Sequence, residues 1–201
     1  MFGKKHLWGI LACVALTAFV NQEPAKTQKW VITQNSSLSV NGTTNINKFT
    51  CDIPSYGQTD TITLVKSRNY KSVVLSGSIG LKTQSFDCHN AMMTRDLRKT
   101  LKANQYPILR IRFLSISNLP VLTNRPEPIT GLVAIAIAGV SKQFEVNYQI
   151  AVDEQNTIHL LGSRDVNFSD FELIPPRKLG GMIKTNDKLS VAFHLKINPI
   201  R

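Results

Sequence analysis

Hydrophobic and polar residues alternate with a period of two along most of the chain. Every second residue is apolar in the segments 144–152, 189–197 and 109–113. This alternation places apolar side chains on one face of a β-strand and polar side chains on the other. It predicts strands that each bury one face.

Six further segments have a strand-like composition and are separated by turn-forming residues. They are residues 30–40, 44–53, 61–66, 72–81, 129–138 and 157–166. Turn-forming residues stand at Asn41-Gly42, 54–57, 153–156 and Asn186-Asp187. About nine strands without alternating helices predict an antiparallel sheet. Closing that sheet into a barrel would remove its exposed edges.

One segment, from Asn90 to Ala103, breaks this period. Met93, Leu97 and Leu101 recur at a spacing of four, which is typical of an amphipathic helix. Asn90 is a suitable N-cap, and Pro107 is a stop signal. We therefore expect one α-helix that covers an opening or a side of the barrel.

The N-terminal segment has the features of a secretory signal. Residues 7–20 carry no charge and follow two lysines, and 14 apolar residues are too few to span a bilayer comfortably. We predict a signal peptide within residues 1–28, with its cleavage site left open between Ala18 and Gln28, and a single domain over 29–201. Periplasmic or secreted localisation follows. An uncleaved anchor is one alternative. Lipidation at Cys13 is disfavoured because the apolar run continues past it.

Cys51 and Cys88 are the only cysteines outside this segment. Two cysteines in an oxidising compartment favour one disulfide over two buried thiols. A bridge of this span would stabilise the fold by about 4 kcal/mol.

The chain is basic, with a formal net charge of +11. Basic domains often bind nucleic acid, but the sequence has neither a basic helix nor basic residues interleaved with aromatics. Together with the predicted export, this argues against nucleic acid as a partner. The charge fits either a solvated basic surface or affinity for an anionic membrane surface.

Several motifs together resemble the YceI-like family of lipid/polyisoprenoid-binding proteins. They are Val40-Asn41-Gly42-Thr43-Thr44-Asn45 with Phe49-Thr50-Cys51, Met93-Thr94-Arg95-Asp96-Leu97 with Leu101-Lys102-Ala103-Asn104-Gln105-Tyr106-Pro107, Ile129-Thr130-Gly131 with Ile137-Ala138-Gly139-Val140-Ser141-Lys142, and Pro175-Pro176 with Gly181-Met182-Ile183-Lys184-Thr185. The resemblance implies an all-β fold, an extended lipocalin-like antiparallel β-barrel of about eight to nine strands with one covering α-helix. It also implies export, and in some members an isoprenoid chain inside the barrel. Many members carry a His where Gln34-Asn35-Ser36-Ser37 stands here, which leaves the ligand open.

Enzymatic chemistry finds little support in the sequence. His89, His159 and His194 are scattered, without metal-ligand spacing, and no G-x-S-x-G motif is present. Asp170 and Glu172 could pair as carboxylates, but they are more typical of a loop that balances nearby cations. We therefore predict a non-enzymatic protein with no cofactor and no metal.

Binding of a hydrophobic small molecule or lipid needs interior space instead. In segment 129–138 the alanines share one strand face, and small side chains turned inward would leave an apolar pocket. The alternative is that this face packs closely under the helix. The predicted ligand-binding residues, which could equally be ordinary core, are Ala134, Ala136, Ala138, Met92, Met93, Phe113, Tyr148, Phe168, Phe171 and Phe193. Cations predicted to hold a charged headgroup are Arg177, Lys178 and Lys184.

Two functions therefore remain. The first is carriage of an isoprenoid or another lipid in a barrel cavity in the cell envelope. The second is a structural or stress-related envelope protein with a filled barrel that acts through its surface. A continuous apolar cavity would separate them, and the sequence leaves the oligomeric state open.

Overall fold

Eleven strands and one α-helix make up the residues that the structure describes, 26–66 and 72–200. In this computed structural model the strands are β1 (Lys26–Ile32), β2 (Ser37–Thr44), β3 (Lys48–Ile53), β4 (Asp60–Lys66), β5 (Val73–Lys82), β6 (Ile108–Ile116), β7 (Glu127–Ile137), β8 (Val140–Val152), β9 (Ile158–Asn167), β10 (Arg177–Lys178) and β11 (Ile183–Ile200). The helix is α1 (Ala91–Thr100), and short 3-10 turns lie at Thr83–Ser85, Phe168–Phe171 and Leu179–Gly181.

Eight of the strands close into an antiparallel barrel. Their order is β1, β4, β5, β6, β7, β8, β9 and β11, and pairing of β11 with β1 closes the ring. At 18 residues, β11 is long enough to pair with β1 near its C-terminal end and with β2 over Thr185–His194. The β2–β3 hairpin therefore extends the wall beyond the closed ring. The predicted all-β antiparallel barrel with one helix is confirmed.

Several local predictions are wrong, and two of them concern β1 and β2. Segment 30–40 forms two strands, because a turn after β1 is held by hydrogen bonds from the Ser36 amide to the Thr33 carbonyl and from the Lys196 amide to the Ser36 hydroxyl. Asn41-Gly42 is not a turn. Gly42 lies inside β2, where a Cβ atom would stand 2.2 Å from the ring of Phe49. The glycine is needed for this close approach and not for chain reversal.

The helix starts where the sequence predicts. The Asn90 side chain accepts hydrogen bonds from the amides of Met92 and Met93, at 3.0 and 3.1 Å. This N-cap satisfies amide groups that have no partner inside the helix. The helix ends at Thr100, three residues before the predicted end. Its buried Leu97, with Leu101 just after the helix, packs into the barrel end.

The buried apolar side chains form two clusters along the barrel. The first cluster, the barrel core, includes Trp30, Ile32, Ile150, Ile158 and Ile197. The helix-side core contains both cysteines, Leu97 and Leu101, and three buried phenylalanines: Phe86, Phe168 and Phe171. Five half-buried side chains pack against both clusters and join them: Tyr56, Ile111, Ile135, Phe144 and Phe193.

Cys51 and Cys88 form the predicted disulfide, with their Cα atoms 3.8 Å apart. The bridge ties β3 to the segment before α1. Beside it, Asp52 and Asp87 exchange two backbone hydrogen bonds, of 2.7 and 2.9 Å. The covalent link thereby holds this end of the barrel wall to the helix.

The predicted signal segment lies almost entirely outside the described residues. Its last three residues, 26–28, belong to β1 and pair with β4. The signal and its cleavage site stay predictions. Among the described residues, no helix has both the length and the apolar character needed to cross a bilayer.

Candidate ligand-binding site

Strand β7 turns its larger side chains to the interior. Val133 and Ile135 line the barrel interior, and Ile137 lines it nearer to the helix. Alternation along the strand therefore directs Ala134 and Ala136 to the opposite face. The prediction that these alanines line the cavity is wrong, because branched side chains fill the barrel and the small residues remain outside. Ala138 ends the strand at φ +50° and packs in the helix-side core.

Three apolar spaces follow one another from the barrel interior to the surface. We call them the inner space, of about 50 Å³, the middle space, of about 70 Å³, and the mouth, of about 210 Å³. The inner and middle spaces share five lining residues: Leu38, Ile111, Ile135, Val166 and Val191. Leu97 of α1 lines both the middle space and the mouth. Shared lining residues therefore connect each space to the next.

The predicted aromatic and methionine residues are distributed along this path. Phe113, Tyr148 and Phe193 line the inner space, and Phe171 lines the middle space. Met92, Met93 and Phe168 line the mouth. The structure thus places all seven on the path, and their role in binding stays a prediction.

One of the three predicted headgroup cations lines the mouth, the other two lie on the adjoining β10–β11 pair, and their role in binding stays a prediction. Lys178 lines the mouth and forms a 2.5 Å ion pair with Asp96 of α1. Arg177 and Lys184 are exposed and lie opposite each other in the β10–β11 pair. Neither forms an ion pair with any residue that the structure describes. Two like charges at this spacing favour an external anion.

Arg164 is a cation on the path that the prediction missed. It belongs to the inward-facing series of β9, lines the inner space, and places its guanidinium 5.7 Å from the centre of the Phe144 ring. Pairing between β8 and β9 stops at Asn147 and Ser163, so Arg164 can reach solvent between the separating strands. The sequence feature that could have identified Arg164 is its place in β9, where the alternation of polar and apolar residues predicts an apolar side chain.

Loop 54–59 closes the barrel wall where β5 has lost its β4 partner. Pairing of β4 with β5 ends at Thr63 and Ser76, and farther along β5 the side chains of Tyr56 and Gln58 hydrogen bond to the backbone of Gly80. The Tyr56 hydroxyl accepts hydrogen bonds from Gln58 and from the Gly80 amide, at 2.7 and 2.9 Å, and donates one to Asp60. Burial and the Asp60 hydrogen bond raise the pKa of Tyr56, so its hydroxyl stays protonated at neutral pH.

Tyr148 supplies a polar group inside the inner space. Burial raises the pKa of its hydroxyl far above the ordinary value, so the group is neutral. A neutral hydroxyl can donate one hydrogen bond and accept another. It therefore suits an uncharged oxygen on a mostly apolar ligand.

His159 and His194, which are far apart in the sequence, touch on the outer face of the barrel. Nδ1 of His159 lies 2.7 Å from Nε2 of His194, and Nε2 of His159 lies 3.0 Å from an Asp153 carboxylate oxygen. The pairing of β9 with β11 brings them together across 35 positions of sequence. Within residues 26–66 and 72–200, no group of three or more His, Cys, Asp or Glu side chains could hold a metal ion.

This histidine pair should make stability depend on pH. Burial lowers the pKa of His194, and the charges of His159 and Lys196 lower it further. The unfolded chain then binds more protons just below pH 6.5, so the free energy of unfolding should decrease as pH falls from 6.5 toward the lowered value. Denaturant titrations of the wild type and His194→Gln over this range should show the decrease only in the wild type.

His89→Gln is the matched control for that titration. A hydrogen bond to Asp52 raises the pKa of His89, which is the opposite direction. The His89→Gln variant should therefore keep the decrease toward acid pH. Loss of the decrease in His89→Gln, or its persistence in His194→Gln, would contradict the assignment.

Solved structures with the same architecture exist at low sequence identity. BcnA from Burkholderia cenocepacia is 16% identical, with a TM-score of 0.59 over 81% of this chain and 96% of that one. A polyisoprenoid binding domain from Saccharophagus degradans, implicated in plant cell wall breakdown, is 9% identical, with a TM-score of 0.58 over 84% of this chain and 97% of that one. This chain has the barrel fold of these two proteins.

The shared fold is visible in three dimensions rather than in overall sequence similarity. No protein-family model matches the sequence, and no curated protein is detectably similar to it. At 9–16% identity the two solved structures share their architecture with this chain. What this barrel holds has to be argued from its own residues.

Proposed function

We propose that this protein is a YceI-like carrier that binds a single-chain hydrophobic lipid, of the isoprenoid class, inside its barrel without catalysing a reaction. The observation that carries the proposal is the series of inner space, middle space and mouth, in which neighbouring spaces share lining residues. A hydrocarbon tail offers no hydrogen bonds, so its site must be free of unpaired polar groups. The shared fold with a polyisoprenoid binding domain supports this ligand class. The disulfide supports work in an oxidising compartment, the periplasm or the exterior.

The dimensions of the path select a thin ligand. Sites for compact small molecules measure about 300–1,000 Å³, far more than the inner or middle space. An extended chain could enter from the mouth if Ile111, Ile135 and Val191 change rotamer. Met92 and Met93 at the mouth are flexible enough to follow an irregular chain. A polar end group could then meet Tyr148 or Arg164 inside, or Lys178 at the mouth.

The small inner volumes also favour a second candidate. A barrel whose inner and middle spaces stay as narrow as about 50 and 70 Å³ would be a filled structural barrel that acts through its surface. The two candidates differ in one respect, which is whether a lipid occupies the path.

Blocking the path should remove the lipid. Ile135 lines both the inner and the middle space, so Ile135→Phe should fill the connection between them and abolish lipid retention. Overpacking costs about 1–3 kcal/mol, which leaves a folded barrel. Native mass spectrometry of the purified variant measures the bound lipid, and thermal unfolding checks the fold.

Ala136→Phe is the matched control. It adds a ring at the neighbouring residue, on the opposite face of the same strand. This variant should retain as much lipid as the wild type. If Ile135→Phe also retains it, or if both variants lose it, the path is not the binding site.

A further inference from the structure

We propose that the outer end of the barrel docks on anionic lipid bilayers through an apolar patch with flanking cations. The patch consists of Ile46, Met92, Leu179 and Met182, and we call it the docking tip. Docking itself does not depend on the proposed lipid ligand. Only the further step, direct passage of a lipid between the bilayer and the mouth, rests on the proposed function.

Two chain reversals lie side by side to form the docking tip. The Asn45 side chain donates to the Met182 carbonyl at 2.9 Å and accepts from the Lys184 amide at 2.8 Å. These bonds join the β2–β3 reversal, which contains Ile46, to the β10–β11 reversal, which contains Leu179 and Met182. The two reversals therefore present one surface.

The apolar side chains of the docking tip point away from the protein. Their exposed fractions are 65% for Ile46, 61% for Met92, 69% for Leu179 and 75% for Met182. Single exposed apolar residues are ordinary, but a group of four large ones marks an interaction surface. Ile46 and Met92 also line the mouth, so the path opens within this surface.

The backbone geometry of the β10–β11 reversal keeps Leu179 exposed. Leu179 has φ +50°, a left-handed conformation that a leucine adopts at a cost, and Gly180 and Gly181 follow with φ +63° and +98°. Nothing lies within 4 Å of a Cβ atom added at either glycine. The turn is therefore not shaped by packing against the barrel, and it holds Leu179 outward.

The charges beside the docking tip select an anionic partner. Lys48, Arg177 and Lys184 are exposed on the strands that lead to the two reversals. Residues 43–49 and 177–186 contain no acidic side chain. Asp96 at the mouth is already paired with Lys178. Apolar residues that insert between headgroups, beside cations that meet phosphates, are typical of a peripheral membrane site.

The test measures binding to vesicles of stated composition. The full chain is mixed with phosphatidylcholine vesicles with or without phosphatidylglycerol, and bound protein is measured by sedimentation. The wild type should bind the anionic vesicles, and added NaCl should weaken this binding. Leu179→Asn with Met182→Ser should raise the dissociation constant at least tenfold. Asparagine is chosen because it tolerates the left-handed backbone. All variants carry the same N-terminal segment, so its contribution cancels.

The control removes two exposed apolar side chains elsewhere. Val121→Ser with Leu161→Ser should bind as the wild type does, since neither residue belongs to the docking tip. Arg177→Gln with Lys184→Gln should weaken binding by about fivefold for each charge and should reduce its NaCl dependence. Equal loss in the tip variant and the control, or unchanged binding in the tip variant, would overturn the proposal.

Two further readouts separate this proposal from its alternatives. Analytical ultracentrifugation tests whether the tip instead binds a second copy of the chain. A wild type that forms a dimer and does not bind vesicles, together with a tip variant that is monomeric, would overturn membrane docking. Mass spectrometry of the same samples gives the lipid content. Vesicle binding by a lipid-free wild type would support docking and refute the carrier function. Bound lipid without vesicle binding would support the carrier function and refute docking.

Discussion

Replacing Cys51 and Cys88 with alanine together should lower the free energy of unfolding by about 4 kcal/mol. The bridge closes a loop of 37 positions, and its loss frees the unfolded chain to adopt more conformations. In the folded state it ties β3 to the start of α1, where the Asp52–Asp87 backbone hydrogen bonds and the Asp52–His89 side-chain hydrogen bond would remain. Urea titrations of the oxidised wild type and the double variant measure the difference.

Reduced wild type is the control for this change. Reduction should lower its stability by an amount close to that of the double variant, whereas the double variant should not respond to reductant. A wild type whose urea midpoint is the same with and without reductant would show that the bridge contributes nothing. Because the helix-side core contains both cysteines, tryptic cleavage near α1 should also increase in the double variant.

Phe171→Ala should cost about 3–5 kcal/mol of stability. Phe171 is 2% exposed, lies in the helix-side core, and has its ring centre 5.9 Å from that of Phe144. Truncation removes its apolar contacts and leaves a cavity that enlarges the middle space. Urea titration of lipid-free protein measures the loss.

Phe171→Leu is the matched control, since it keeps most of the volume and should cost clearly less. If a lipid occupies the middle space, added lipid should recover more stability in Phe171→Ala than in the wild type, because the enlarged space accepts more of the chain. Equal losses for leucine and alanine would show that the ring's shape, and not the filled volume, stabilises this region.

Strands with one polar face were predictable, whereas the end of a strand was not. The alternation over 144–152 identifies most of β8, because one face is buried and the other is wet. In β11 the sequence indicates a turn at Asn186-Asp187, yet the strand continues through it with a register shift between Thr185 and Leu189. Asp187 accepts a hydrogen bond from the Ser169 amide at 2.9 Å and another from the Ser169 hydroxyl. A partner 18 positions away therefore overrides a local turn preference.

The inner face of β7 was not predictable from hydrophobicity, because both of its faces are apolar. Alanines occupy one face, and valine and isoleucine occupy the other. Only the position of the neighbouring strands decides which face fills the barrel. The same limit applies to Arg164, whose place at the inner space depends on where β8 and β9 separate. It applies also to His159 and His194, which meet only through the register of β9 with β11.

We expect a lipid to occupy the path from the inner space to the mouth in the native protein. Native mass spectrometry of the wild type, purified from its own cell envelope without detergent exchange, tests it most directly. The spectrum should show a complex that exceeds the polypeptide mass by one isoprenoid-class lipid, and extraction with organic solvent should release that lipid. A polypeptide mass without any bound lipid, from envelope preparations that contain such lipids, would contradict it and leave a filled structural barrel.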